Sequence, residues 1–345
     1  MNFPRTPRTV LSTLLTGALA LGASSLAFPS IASAQESPAF TDACSVDRLT
    51  LVNPFNPGGS SDRMARAIAA FLPHEIGDTP VTVVNKPGGS GALGHSWFRQ
   101  QPDDGSFALV SPVNPYLISN ILRGQGNLEW DDFAFVNGQW QDYYVLMVPK
   151  EQPFQTAQEL VDFIKENPGE ASSAIIVGDG GHLSTVIMLE RLGLPADAVN
   201  FITYDGGGPM RTALAGDQVT FSVISGLGSD VIKDEVRPLA VFRTEPAEMW
   251  DAPLINDVLA DYDVEIPVLA ADLRTFAVRA SFKEKNPECY EALVGAYRRM
   301  LERDDFKKFI ASSQIDGMWM GPEATQKSLD ESFEIFEQNI DSLTQ

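Results

Sequence analysis

The sequence predicts an α/β fold in two lobes that face each other across a cleft. Three observations lead to it. Short apolar runs alternate with helix-period segments, the pattern of a mostly parallel sheet covered by helices. The alternation starts twice, near residue 49 and again near residue 143. Glycine-rich turns sit at strand ends in both series, where open α/β sheets hold their ligands.

Residues 1–34 read as an export leader. Arg5 and Arg8 open it, residues 10–27 are apolar, and Ala32-Ser33-Ala34 offers a cleavage site before Gln35. A membrane anchor is the weaker reading, because Gly17, Gly22, Ser24, Ser25 and Pro29 interrupt the stretch. Thr41-Asp42-Ala43 before Cys44 does not resemble a lipid-attachment site, and nothing later is apolar enough to span a bilayer. Cleavage after Ala34 leaves 311 of the 345 residues, enough for two domains of about 150 each. Losing the two leader arginines moves the formal charge from −21 to −23. Such a surface repels nucleic acid and anionic membrane. It would also repel an anionic ligand at long range, so local dipoles must prevail at contact, or salt must screen the field. In an oxidising compartment the natural reading of Cys44 and Cys289 is a bridge, with two free thiols as the alternative. Three histidines and two distant cysteines give no metal-ligand spacing, and no cofactor is expected.

In the first series, residues 49–52 form a strand and residues 61–72 a helix with Met64, Ile68, Phe71 and Leu72 on one face, ended by Pro73. Ser60 is the expected N-cap, and Asp62 complements the dipole or faces the ligand. Between strand and helix, Asn56, Gly58, Gly59 and Ser60 make a turn whose glycines let backbone approach a ligand. The helix end adds unpaired N–H groups and positive potential, an anion site built from backbone rather than from arginine. Residues 81–84 are the next strand. The turn containing Gly89, Ser90 and Gly91 then opens a helix carrying Leu93, Trp97 and Phe98. Residues 107–110 form a third strand, and the loop after it, with Ser111 and Asn114, is a third candidate ligand loop.

The second series begins with a strand over residues 143–148 and a helix over 156–166, opened by Thr156 and Glu159. A strand over 174–177 leads to Asp179, Gly180, Gly181 and His182, then to a helix over 183–192. Residues 201–204 lead to Tyr204, Asp205, Gly206 and Gly207, then to a helix over 210–215. Residues 219–224 and 236–242 complete a second sheet. A strand over 273–278 returns the chain to the first unit, so the hinge has two crossings, near Leu146 and Ala271. The expected division is lobe 1 over 45–146 plus 272–345 and lobe 2 over 147–271. Helices over 287–301, 304–312 and 322–342 should pack on lobe 1. Trp140 and Tyr143, near the crossing, are candidates to line the cleft, while His74 and His95 read as ordinary surface or packing residues.

Taken in order, these turns resemble the substrate-binding proteins of tripartite tricarboxylate transporters, the Bug or TctC-like family. The resemblance runs from about Leu49 onward. It is carried by Pro54 through Asp62, Asn85 through Gly91, Pro102-Asp103-Asp104-Gly105, Gly178 through Leu183, Tyr204 through Pro209, and Gly216-Asp217-Gln218-Val219-Thr220-Phe221. It implies a periplasmic binding protein of the type II, Venus-flytrap kind, monomeric and without catalysis. Such a protein closes on a small carboxylate and delivers it to the membrane permease subunits. It also implies that backbone N–H groups and ordered water from both lobes hold the ligand's carboxylate. On this chain that assigns Asn56, Gly58, Gly59, Ser60 and Asp62 from lobe 1, and Asp179, Gly180, Gly181 and His182 from lobe 2, with Tyr204 to Gly207 nearby. Ser90 before Gly91, the acidic Asp179 and Asp205, and the short turn before His182 depart from the family pattern and bear on which acid is bound.

Few basic residues appear near the expected cleft, so a mono- or dicarboxylate, aromatic acids included, fits better than a tricarboxylate. Two other readings stay open: a sensory module presenting ligand to a membrane kinase, and an exported hydrolase using the same cleft. Gly89, Gly91 and Gly94 echo a dinucleotide turn, but an exported location argues against a nicotinamide cofactor. No nucleophile elbow with triad partners stands out.

Overall fold

The computed structural model describes residues 39–204, 206–268, 272–313 and 315–340. The leader expected over residues 1–34 lies outside the described residues.

The chain opens with a short helix, α1 (Phe40–Ala43), and strand β1 (Leu49–Asn53), buried along nearly all its length. Helix α2 (Ser60–Phe71) buries Met64, Ile68 and, just past its end, Leu72, while Phe71 is only half-buried. Pro73 does not stop the chain there. It sits at the start of a tighter helical turn, Leu72–Glu75, where a missing N–H costs nothing. Then come β2 (Val81–Asn85), α3 (Ala92–Arg99), β3 (Phe107–Pro112), a wide helical turn and α4 (Ile118–Leu122). Strand β4 (Phe133–Gln141) follows, a strand that the sequence pattern does not announce. Eight of its nine residues are buried, so no period-two alternation marks it.

The second half holds β5 (Tyr144–Pro149), α5 (Ala157–Glu166), β6 (Ala171–Ile175), α6 (Gly180–Arg191), β7 (Val199–Thr203), α7 (Gly207–Ala215), β8 (Ser222–Ser225), β9 (Val236–Phe242) and α8 (Ile255–Leu259). Thr156 caps α5 by accepting from the Glu159 amide at 3.2 Å. The chain returns as β10 (Leu273–Arg279) and finishes with α9 (Ala280–Lys285), α10 (Pro287–Glu302), α11 (Asp304–Ser313) and α12 (Gly321–Asn339).

The first sheet has the order β2-β1-β3-β10-β4. Strands β1, β2 and β3 are parallel, and β10 is antiparallel to both of its neighbours. The second half is not one sheet. It holds an antiparallel β8-β5-β9 sheet and a parallel β6-β7 pair, tied together where Phe221 exchanges backbone hydrogen bonds with Ser172 and Ala174. The chain leaves the first sheet at Gln141 and enters the second at Tyr144, so Leu146 sits inside β5. At this passage the Asp142 amide donates to the Asp272 carbonyl at 3.1 Å, holding the two crossing segments side by side.

Each half has its own apolar core. In the first, α2 and α10 cover one sheet face with Met64, Ile68, Leu293 and Tyr297 against Leu49, Leu51 and Phe276. In the second, α5, α6 and α8 bury Leu160, Ile187 and Val258 against Leu146 and Val148. Helix α12 serves both: Leu329 packs among first-sheet residues, and Phe336 packs in the core around Tyr144 and Leu146. The sequence pattern assigns it to one lobe only. Cys44 and Cys289 are bridged, joining the segment after α1 to α10 across 245 positions. A ring of that size strongly restricts the unfolded chain. Replacing both cysteines with alanine is expected to cost about 2–5 kcal/mol, measured by urea denaturation at matched pH. An unchanged midpoint would remove the bridge from the stability account.

Candidate ligand-binding site

A cavity of about 840 Å³ lies where the carboxyl ends of β1 and β2 meet turns from the second half. Its wall from the first half is residues 54–61 and 87–91, with Arg63. From the second half come Asp179, Thr203, Tyr204 and residues 206–211. Tyr116, Tyr144, Ser225, Asp272 and Arg274 are also among the residues that line it.

Three helices point their N-termini into this space, and the cap residue of each is a glycine: Gly59 for α2, Gly91 for α3 and Gly206 for α7. None of the three ends has a side-chain cap. Among the described residues, the first N–H groups of α2 and α7 are left for whatever fills the cavity. Those of α3, Ala92 and Leu93, already donate to the Gly89 and Gly88 carbonyls at 3.0 and 3.3 Å, so α3 offers only the positive end of its dipole. Ser60 is not the N-cap. It is the first helical residue of α2, and its hydroxyl accepts from Arg274 Nε at 2.8 Å. Asp62 faces away from the cavity and accepts from the Gly58 amide, Arg66 Nε and Asn85 Nδ2, each at 2.8 Å. Burial alone would push its carboxyl up, but these hydrogen bonds hold it below the usual range. Asp62 thus latches the first turn to the end of β2.

The second turn carries positive φ at four successive residues, Gly88 through Gly91, with Ser90 the one non-glycine at φ 49°. Ser90 lines the cavity and reaches across it, donating to the Val177 carbonyl at 3.3 Å. Ser111 and Asn114 do not reach the cavity. Ser111 bonds His95 Nε2 at 2.8 Å, and Asn114 Nδ2 donates to Ser332 at 3.4 Å. Pro112 and Tyr116 form the wall in front of them. Burial depresses His95 to about 3, so it remains neutral.

On the opposite side, Asp179 caps α6 by accepting from the His182 amide at 2.7 Å, and it lines the cavity. Burial raises its carboxyl to about 8, more than that hydrogen bond offsets, so at neutral pH it is mainly a carboxylic acid. Gly180, Gly181 and His182 turn inward instead. A Cβ on Gly180 would meet the Tyr144 ring at 2.7 Å, and one on Gly181 would meet the Val223 carbonyl oxygen at 2.0 Å. These glycines let α6 lie against β5 and β8. His182 is buried, lowered to about 4 by that burial, and packs edge-on to Phe201. Tyr204, Gly206 and Gly207 line the cavity, and Asp205 lies outside the described residues.

The expectation of a site with few basic residues is corrected, because Arg63, Arg211 and Arg274 all line the cavity. Arg63 is the fourth residue of α2 and Arg211 the fifth of α7, two helices whose N-termini face the cavity. Arg274 is 3% exposed and stacks over Trp140 at 4.3 Å. Its Nη2 lies 3.4 Å from both Asp142 and Asp272, one carboxylate from each crossing segment. Asp142 also accepts from the Leu227 amide at 2.9 Å and from the Ser225 hydroxyl. Tyr144 donates to Asp272 at 2.5 Å. Burial lifts Asp272 to about 6 despite the nearby Arg274 charge. Trp140 thus supports the site from behind rather than lining it, and Tyr144, not Tyr143, faces the cavity.

The model of the tripartite tricarboxylate transporter family receptor, TctC, matches residues 64–340. The chain belongs to this family. Among TctC-type relatives, Protein BugT of Bordetella pertussis is 28% identical over 220 residues, which span 62% of this chain and 66% of BugT's own length, just short of two thirds. Two solved structures share the fold. R. palustris Rpa4515 with adipate is 23% identical, with a TM-score of 0.67 over 86% of this chain and 97% of that one. MatC from Rhodopseudomonas palustris with bound malate is 17% identical, with a TM-score of 0.64 over 86% and 98%.

In this TctC family member the arginine–aspartate cluster sits under the cavity at both crossings. Removing the cation would strand two buried carboxylates. Arg274→Met is therefore expected to lower unfolding free energy by about 3–5 kcal/mol, read by chemical denaturation. A loss below about 1 kcal/mol, the level of an exposed pair, would mean the cluster is not structural.

Proposed function

We propose that this protein is a periplasmic solute receptor that captures a small carboxylate in the cavity and passes it to the membrane subunits of a tripartite transporter. The observation that carries the reading is the convergence of three glycine-capped helix N-termini on one cavity. Backbone N–H groups and helix dipoles select negative charge without a formal cation. Adipate with one family relative and malate with another support a small carboxylate as the solute. The role requires binding and release and no catalysis, and a monomer suffices for it.

The working division is one lobe around the first sheet, from residue 45 to the first crossing and from residue 272 onward. The other lobe is built on the sheets between the crossings. Closure about the crossings at Asp142–Tyr143 and Asp272 would bring the turn at Gly59 toward those at Asp179 and Gly206; Ala271, expected at the second crossing, lies outside the described residues. Ligand stabilises the closed form by its greater affinity for it. Asp179 adds a donor in this scheme. While protonated it gives its O–H to a carboxylate oxygen; once ionised it repels the ligand.

Two outcomes test this. A thermal-shift screen of small carboxylates is expected to raise the melting temperature for at least one of them. Gly59→Val should then weaken that ligand about tenfold or more by calorimetry, since each 1.4 kcal/mol is a factor of ten. Stability should change little, because Gly59 has an ordinary φ of −69° and its Cβ position meets nothing closer than 3.6 Å. Unchanged affinity in that variant would sink the backbone-amide site. The second outcome concerns pH. Affinity should fall as pH rises through about 8, where Asp179 loses its proton, and Asp179→Asn should flatten the profile. A flat profile in the wild type would exclude the protonated carboxyl.

A further inference from the structure

Ser90 holds a side chain where a glycine would be easier. Its φ is 49°, and Gly88, Gly89 and Gly91 around it are also positive. A Cβ in that region crowds the backbone, so a serine there is strained in a way that a glycine is not. What the serine gains is a contact across the cavity: its hydroxyl donates to the Val177 carbonyl, in the opposite half, at 3.3 Å. At the next residue, Gly178, a Cβ would stand 2.5 Å from Ser119 Oγ and 3.3 Å from Arg123 Nη1, on α4 and just past its end. The corner at Val177 and Gly178 thus rests on both the Ser90 turn and α4. The Ser90 backbone is gripped from behind. Asn120 of α4 donates from Nδ2 to the Ser90 carbonyl at 3.1 Å and faces His95 Nδ1 at 3.3 Å. A carbonyl only accepts, so the amide nitrogen is the atom turned this way, and its second N–H serves His95. With Nδ1 accepting, neutral His95 carries its proton on Nε2 and donates to Ser111 of β3 at 2.8 Å. The ring also lies beneath the turn, since a Cβ on Gly91 would meet His95 Cε1 at 3.1 Å. His95, Ser111 and Asn120 are at most 1% exposed, and none of the three lines the cavity. A buried polar chain of this kind fixes one geometry, and the geometry it fixes is that of Ser90.

We infer that Ser90 is a latch between the two halves, set in place by Asn120 and His95, that favours the closed form and slows release of the solute. Asn120 and His95 are positioning residues. They act by holding Ser90 in the left-handed conformation that aims its hydroxyl across the cavity. A glycine in place of Ser90 would keep the turn and lose the latch. The effect on release rests on the capture reading above, whereas the contact between the halves does not.

Amide hydrogen exchange on the ligand-free protein reads the latch directly. In Ser90→Ala, amides of residues 176–182 in the opposite half are expected to lose about two- to tenfold of their protection, the scale of one hydrogen bond. Those of β5 should keep theirs. Ser90→Gly should show the same loss although it relaxes φ; wild-type protection in that variant would make strain, not the hydroxyl, the cause and would overturn the latch. Asn120→Ala should reproduce the loss at 176–182 from behind, and a folded variant that exchanges as wild type there would remove Asn120 from its positioning role. If Asn120→Ala does not fold, as its melting temperature shows, the two Ser90 variants decide. With malate and adipate as probes, Ser90→Ala should raise the dissociation rate about two- to tenfold by stopped flow and move the association rate less. An unchanged dissociation rate, or exchange altered only within residues 86–94, would overturn the inference. If neither acid binds, the exchange arm alone decides the latch, and that failure counts against the capture reading instead.

Discussion

The constraint on which the rest of this structure depends is a cation held out of water. Arg274 gives up its hydration to lie on Trp140, between Asp142 and Asp272 and under Ser60 of α2. Desolvation makes such an arrangement costly unless every donor finds a partner. Here the partners are the two chain crossings and the helix end that faces the cavity. The same contacts that satisfy the guanidinium therefore fix the relation between crossing segments and binding turn. A hydrophobic residue of similar size would fill the volume but would specify none of these positions.

Local and global electrostatics pull in opposite directions. The whole chain is strongly acidic, at −21, yet the cavity gathers three arginines, three helix N-termini and one carboxyl that burial keeps protonated. Screening over about 8–10 Å at physiological salt limits the reach of the surface charge. Groups inside the cavity act at shorter range and lower dielectric, so the contact field decides recognition. The acidic exterior then serves solubility, while the interior sets the sign of the ligand.

What was legible in the sequence was local. Turns at residues 53–62 and 85–91 announce themselves through glycine and proline, and their flanking strands and helices through apolar period, so most elements fall within a few residues of expectation. The charges of Arg63 and Arg211 are legible as well, but not that both side chains reach the cavity. What was hidden was tertiary. Strand β4 is covered on both faces, by α12 among others, and so shows no alternation. Ser60 looks like a cap until Arg274, more than two hundred positions later, claims its hydroxyl. Gly180 and Gly181 resemble ligand-side glycines, but their missing side chains make room for Tyr144 and Val223. Asp62 carries the same ambiguity, resolved only by Asn85 arriving from the next strand.

The bridge between Cys44 and Cys289 has a consequence for the order of assembly. A covalent ring of that span cannot close until the growing chain has passed residue 289. Throughout synthesis of everything between, Cys44 waits as a lone thiol. The oxidation step is thus a late event that becomes possible only after the excursion into the second half has been made and the polypeptide has come home. It works as a chemical receipt for a completed round trip.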